Sequence, residues 1–458
     1  MTTIASPTQG RPRIAWLGDD FTGSAAVMEV LSFAGLRSVL FTALPDAALV
    51  ARFADVVGVG LATTARSHGP DWMERELPPL LRWLADRGPD ILHYKICSTF
   101  DSAPEVGSIG RAIEIALRLR PARIVPLLTA APEMRRYQVF GHLFAGAPEG
   151  VFRLDRHPVM AHHPVTPMTE SDLLRHLAAQ TDLPGALLDL EALAGDPQGR
   201  IEAAASQGAR ILSIDCADAA SEAAAGRVLW ENRAEMGLVF GSQGVEYALV
   251  RHWREIGLLS APSAPRSAGA MDRIAAVSGS VSPVTARQLD RAGTQGFALL
   301  PFDAAAVCRP TADLAAEEAR VVRAACEAAS RGQSPLIHSA AGSGDPAVAR
   351  FRAALSASQL SPDEANRRIG EALGRILDAT LRATGLRRAV ISGGDTSGHG
   401  MRQLGLSALE ALAPTVPGAA LCRAHGEGPH DGLEIALKGG QMGSEDFFDW
   451  IRAGGGPR

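Results

Sequence analysis

Lysine is almost absent from this chain: of 45 basic residues only Lys95 and Lys438 are lysine, and the rest are arginine. Arginine replaces lysine freely on a solvated surface, but not where a compact, pKa-adjustable ammonium or a point contact to phosphate is required. Both lysines are therefore read as working residues. Lys95 sits near the end of an apolar and aromatic run, His93-Tyr94-Lys95-Ile96-Cys97-Ser98-Thr99. There it could clamp a carboxylate or form a Schiff base with a keto acid. Lys438 directly precedes a glycine loop, Gly439-Gly440-Gln441-Met442-Gly443, where a phosphate-contacting ammonium belongs.

Five further places have the residue types for ligand chemistry. Gly18-Asp19-Asp20-Phe21-Thr22-Gly23-Ser24 follows an apolar run and opens a helical pattern. Its two carboxylates can bind sugar hydroxyls, hold a metal or accept a proton, while Thr22 or Ser24 caps the helix and leaves its first amides free for an anion. Arg66, after Thr63-Thr64, and Arg135 and Arg136, after Pro132, are candidate forks for a carboxylate. Ser278-Gly279-Ser280-Val281-Ser282 is small enough for its amides to approach a nucleotide. Ser392-Gly393-Gly394-Asp395-Thr396 is a glycine-rich turn whose N–H groups can cradle phosphates while Asp395 orients Mg²⁺ or an attacking hydroxyl.

Other chemistries are excluded by what is missing. Neither lysine is followed by Ser or Thr, so there is no Walker A loop, and no strict G-x-G-x-x-G occurs. His425, Glu427, His430 and Asp431 are close in sequence but match no strong ligand spacing, so no bound metal is expected. The five cysteines are odd in number and scattered, which reads as reduced thiols.

These motifs need a scaffold, and the hydrophobic pattern supplies one. Short apolar runs at 14–17, 38–41, 56–61, 91–96, 123–127, 186–190, 211–215 and 238–240 alternate with longer helical stretches. A second series follows, with strands expected at 274–277, 298–302, 335–338 and 389–391 and helices at 284–292, 313–330 and 362–384. This is an α/β pattern with largely parallel sheets. The Ser-, Pro- and Gly-rich stretch 260–269 marks a linker, giving domains at 1–259 and 270–458 and an expected active-site cleft where they meet. With a net charge of −5, no basic block and no apolar run of 18 residues, neither nucleic acid nor membrane is an expected partner. A cytoplasmic location is expected, and the oligomeric state is left open, a homodimer included.

Taken together, GDDFTGS, HYK-x-x-S-T, SGS-x-S-x-x-T, SGGDTSG and the final KGG-x-x-G resemble the four-carbon acid sugar kinase family, in order and across nearly the whole chain. The resemblance implies an N-terminal domain for a small sugar acid, a C-terminal domain for ATP, and phosphoryl transfer to a hydroxyl, with Mg²⁺ accompanying the nucleotide. It places Asp19, Asp20, Thr22, Ser24, Arg66, Lys95, Ser98 and Thr99 at the acid, with Arg135 a further candidate. Ser278, Gly279, Ser280, Ser282, Gly393, Gly394, Asp395, Thr396, Lys438, Gly439, Gly440 and Gly443 fall at ATP. Asp395 and Asp20 are the candidate general bases. Cys97 and Asp101 stand where many members carry an acid and an arginine, which points away from plain tetronates toward an oxidised or branched acid such as 3-oxo-isoapionate. Two rival readings are a Schiff-base aldolase or lyase using Lys95 and a non-catalytic sugar-acid sensor.

Overall fold

Strands that are buried on both faces must be apolar along their whole length, and the first strand, Ile-Ala-Trp-Leu-Gly, has that character. In a computed structural model describing residues 13–163, 165–261 and 266–458, the chain forms two compact units, Met1–Ser263 and Ala264–Arg458. The centre of the expected linker, 262–265, lies outside the described residues, as do Pro164 and the side chain of Asp395.

The first unit contains β1 (Ile14–Gly18), β2 (Ser38–Phe41), β3 (Gly58–Ala62), β4 (Ile91–Lys95) and β5 (Val125–Leu128). A separate antiparallel sheet follows, made of β6 (Arg136–Val139), β7 (His142–Ala147) and β8 (Gly150–Arg153). Then come β9 (Gly185–Leu188), β10 (Ile211–Ile214) and β11 (Leu238–Gly241). The main strands run in the order β2-β3-β1-β4-β11-β5-β10-β9, and all their pairings are parallel. The loops leaving β1, β3, β4, β5 and β11 therefore open at the same edge, where ligands of such sheets bind.

The second unit contains β12 (Ala275–Ser278), β13 (Phe297–Pro301), β14 (Ser334–His338), β15 (Arg388–Ser392), β16 (Leu406–Ala413), β17 (Leu421–Gly426) and β18 (Glu434–Lys438). Its order is β13-β14-β12-β15-β18-β17-β16. The first five are parallel, and β17 and β16 add antiparallel strands. The chain moves outward from β12 in one direction and returns on its other side at β15, so the switch point lies between those two strands. Ile274, Leu289, Phe297, Leu336, Val390, Phe447 and Phe448 form the core around them. Arg388 is fully buried, bound to Glu434 and to the carbonyls of Gly269, Ile451 and Arg452. It fastens β15 to the end of the linker and to the C-terminal helix Phe447–Arg452. Among the described residues no helix is long and apolar enough to cross a membrane.

Candidate active site

In the first unit the site is assembled by Arg66. The Asp20 side chain caps the Phe21–Phe33 helix by accepting from the Gly23 amide at 2.8 Å. Arg66 reaches back from the loop after β3 and forks onto Asp19 at 2.6 and 3.2 Å, with its third nitrogen 2.9 Å from Asp20. Backbone bonds fix the same geometry, because the Arg66 amide donates to the Asp19 carbonyl at 3.0 Å and the Asp19 amide to that of Lys95 at 2.9 Å. Burial pushes the Asp19 carboxyl up, with Arg66 opposing and Asp20 adding to the rise. Burial also works against the Arg66 charge, but the two aspartates outweigh it and hold the guanidinium protonated. Asp20 is the more open of the pair, at 29% side-chain exposure against 5% for Asp19.

Lys95 is 2% exposed and donates to the Ile96 carbonyl. Its ammonium lies against Gly23, where a Cβ would stand 2.6 Å from Nζ, so glycine is required for the helix start to approach the lysine. Behind it, His93 is fully buried between Glu246 at 2.7 Å and the Gly241 carbonyl at 3.0 Å. In the next loop Thr99 donates to Asp101 at 2.8 Å and lies 3.0 Å from the Cys97 sulfur. Burial, with Asp101 adding to it, raises the Cys97 thiol to about 11, so it stays protonated at neutral pH. Ser98 and Thr99 are buried at this edge, and Thr22 is half-buried in the first helical turn.

Two expected acid ligands have their polar atoms bonded to the protein itself. Ser24 is fully buried and its hydroxyl bonds the Asp20 carbonyl at 2.5 Å, beneath Gly18, so it braces the turn. Arg135 is exposed, and its guanidinium bonds the carbonyls of Ala147 and Gly150 at 3.0 and 3.2 Å, on the small antiparallel sheet.

In the second unit the glycine loops converge at the switch point. Gly279 lies so close to Thr396 that a Cβ would stand 2.3 Å from its hydroxyl, and Gly393 has a φ of 127°, a conformation open to glycine. Register places Ser278 opposite Ser392, and Ser392 opposite Lys438, in one row at the carboxyl ends of β12, β15 and β18. The hydroxyls of Ser278 and Ser392 are buried without a partner among the described residues. His338, in the same row beside Ser278, is pushed toward its neutral form by burial.

Lys438 is 1% exposed and donates to Thr285 and to the Gly439 carbonyl, both at 3.2 Å. Thr285 lies 2.9 Å from the Gly440 carbonyl and 3.1 Å from Ser280, and Ser282 caps the Pro283–Gly293 helix while also holding Gly440. Gln288 holds the rest of the loop through the carbonyls of Met442 and Ser444, next to Gly443. Burial lowers the Lys438 ammonium from its ordinary 10.5 to about 8, and no carboxylate pairs with it among the described residues. Gly394 opens the Gly394–Gln403 helix, with Asp395 its second residue. Thr285 closes the SGS-x-S-x-x-T motif, but neither it nor Gln288 has an assigned role in the sequence. Gln288 carries no signal beyond its spacing two turns after Ser282, which becomes meaningful once β18 is placed beside β15.

His425 pairs with Glu410 at 2.9 Å and His430 with Asp378 at 2.6 Å. Among the described residues no three His, Cys, Asp or Glu side chains gather as a metal cage.

Carboxylates forked by arginine on one α/β unit and glycine loops around a buried lysine on the other are groups that a kinase of small polar acids needs. The comparisons agree. Residues 14–249 match the sugar-binding N-terminal domain model and residues 275–448 the nucleotide-binding C-terminal domain model, so the chain belongs to the four-carbon acid sugar kinase family. It is 46% identical to 3-oxo-isoapionate kinase of Paraburkholderia graminis, over 99% of this chain and 98% of that one. It is 33% identical to 3-oxo-tetronate kinase of Pseudomonas fluorescens, over 97% of each. A solved structure from Salmonella typhimurium LT2 is similar at 25% identity, with a TM-score of 0.76 over 96% of this chain and 98% of that one. The protein is thus a sugar-acid kinase, a phosphotransferase, and the aldolase and sensor readings fall away.

Proposed function

We propose that this kinase transfers the terminal phosphoryl group of ATP to a hydroxyl of a 3-oxo sugar acid, with 3-oxo-isoapionate its substrate. The observation that carries the donor half is Lys438, an ammonium buried beneath glycine loops with no carboxylate to neutralise it among the described residues. A buried unpaired cation is costly and calls for an anion in the working state. The hydroxyls of Ser278 and Ser392, without partners among the described residues, fit the same slot as groups that ask for ligand or water partners. In this reading Ser278, Ser280, Ser282, Thr396 and the amides of Gly279, Gly393, Gly394, Gly439, Gly440 and Gly443 hold the nucleotide. Lys438 stabilises charge on the transferred group.

Divalent magnesium retains much of its water and binds through phosphates and one or two carboxylates, so the lack of a protein cage among the described residues suits it. When bound it would neutralise phosphate charge, with Asp395 the nearest acid in the donor loops by sequence. On the acceptor side, Asp19 and Asp20 receive sugar hydroxyls, with Arg66 holding both in place. Asp20, the more open carboxylate, takes the hydroxyl proton, with Asp395 the other candidate base. Choice of acid rests on the whole-length similarity to the 3-oxo-isoapionate kinase and on a pocket loop with a neutral thiol at Cys97 and a carboxylate at Asp101. A coupled ADP-release assay comparing 3-oxo-isoapionate with threonate and erythronate tests this. Preference for the plain tetronates would overturn the choice of acid.

A further inference from the structure

Arg135 and Arg136 are adjacent, yet the structure gives them different environments. Arg135 has a φ of 57°, in the left-handed region, so the chain turns sharply between the two. Arg135 then lies exposed on the small sheet, while Arg136 opens β6 in a half-buried position. One Arg136 nitrogen, Nη1, bonds only backbone carbonyls, those of Met134, Arg135 and Gly146 at 3.1, 3.2 and 3.5 Å. Its Nε is buried with no partner, and no carboxylate forms an ion pair with it among the described residues.

Arg136 follows β5, at the sheet edge where the loops leaving β1, β3 and β4 also open. Burial pulls its guanidinium down, Asp101 of the acceptor loop acts the other way, and the neighbouring Arg135 adds to the fall. The Cys97 thiol is protonated at neutral pH and neutralises nothing. One Asp101 oxygen is taken by the Thr99 hydroxyl. Arg66, the other arginine of this edge, already has all three guanidinium nitrogens on Asp19 and Asp20. A planar fork with an unused buried N–H and spare positive charge, beside a loop that lines the acceptor site, is shaped for an incoming carboxylate.

We propose that Arg136, not Arg135 or Arg66, receives the carboxylate of the sugar acid. The inference rests on the kinase reading above and deepens it, by making the acid group itself a specificity handle. A substrate of the same carbon skeleton lacking the carboxylate leaves that fork unpaired and is rejected.

The test is steady-state kinetics of Arg136→Ala, Arg136→Lys and Arg135→Ala with 3-oxo-isoapionate and MgATP, with and without added guanidinium ion. Arg136→Ala is expected to raise KM for the acid by about 10- to 100-fold, the scale of a lost charge-assisted contact, with KM for ATP within twofold. Arg136→Lys should recover part of the loss, and millimolar guanidinium should rescue the alanine variant, which a merely structural role would not allow. Arg135→Ala should leave the KM for the acid unchanged. Should the alanine variant fail to fold, Arg136→Lys carries the test through its raised KM for the acid at unchanged KM for ATP. A normal KM for the acid in the folded Arg136 variant, or an equal effect at Arg135, overturns the inference. Absence of acid-dependent ADP release by wild type would instead bring down the kinase reading.

Discussion

Replacing Lys438 by Met should stabilise the free protein at neutral pH while abolishing its work. The ammonium is 1% exposed and titrates at about 8 instead of 10.5 because of burial. That difference corresponds to about 3 kcal/mol by which the charged form disfavours the folded state. Met keeps an apolar stem but loses the ammonium, which lies 5.9 Å from the Phe447 ring centroid, and with it the bonds to Thr285 and Gly439. Together those bonds are worth about 1–2 kcal/mol. The expected net is a gain of about 1–2 kcal/mol at pH 7, read by urea denaturation without nucleotide. The sign with pH follows from which state holds more protons. Between about 8 and 10.5 the unfolded chain keeps the lysine proton that the folded state releases, so wild-type stability rises through that window and the variant's does not. The variant's advantage should therefore shrink and reverse by pH 10, while kcat at pH 7 falls by at least about 100-fold, the scale of one lost transition-state contact. A Lys438→Met protein that is less stable at pH 7, with no pH dependence in the difference, would refute the reasoning.

Lys438→Arg should lower kcat severely with KM for the sugar acid little changed, since a planar fork cannot occupy a slot closed by Thr285 and Gly439. Gly279→Ala places a Cβ 2.3 Å from the Thr396 hydroxyl, and should raise KM for ATP at least about tenfold without changing KM for the acid. Gly393→Ala adds strain at a φ of 127° and should lower stability by about 1–3 kcal/mol, measured by thermal or urea unfolding. Asp101→Ala frees the Thr99 hydroxyl, and a competition assay should show preference for 3-oxo-isoapionate over erythronate eroding while ATP binding holds.

Much of the scaffold is legible in the sequence because buried parallel strands are continuous apolar runs. The expected strand 38–41 and helix 362–384 coincide with Ser38–Phe41 and Pro362–Thr384, and the other expected strands fall within two residues of the observed ones. The antiparallel additions had no such signal. β16 reads Leu-Ser-Ala-Leu-Glu-Ala-Leu-Ala, a composition that favours helix in isolation, and only pairing with β17 makes it a strand. Lys95, Lys438, Asp19, Asp20 and the glycine loops stand out in the sequence because their residue types are rare or demanding at strand ends. A hydroxyl such as that of Ser24, in a helical first turn, can face either a ligand or its own backbone, and only the fold shows that it bonds the Asp20 carbonyl. The different environments of Arg135 and Arg136 follow from a left-handed residue that no arginine announces.

Phosphoryl transfer from ATP to a 3-oxo sugar acid is measured most directly by mass spectrometry of the products with coupled ADP release. With MgATP and 3-oxo-isoapionate, ADP should appear only in the presence of the acid, one per acid consumed, with the phosphate found on an acid hydroxyl. ADP release that is independent of every sugar acid, or acid turnover trapped by borohydride on Lys95 without ATP, would contradict it.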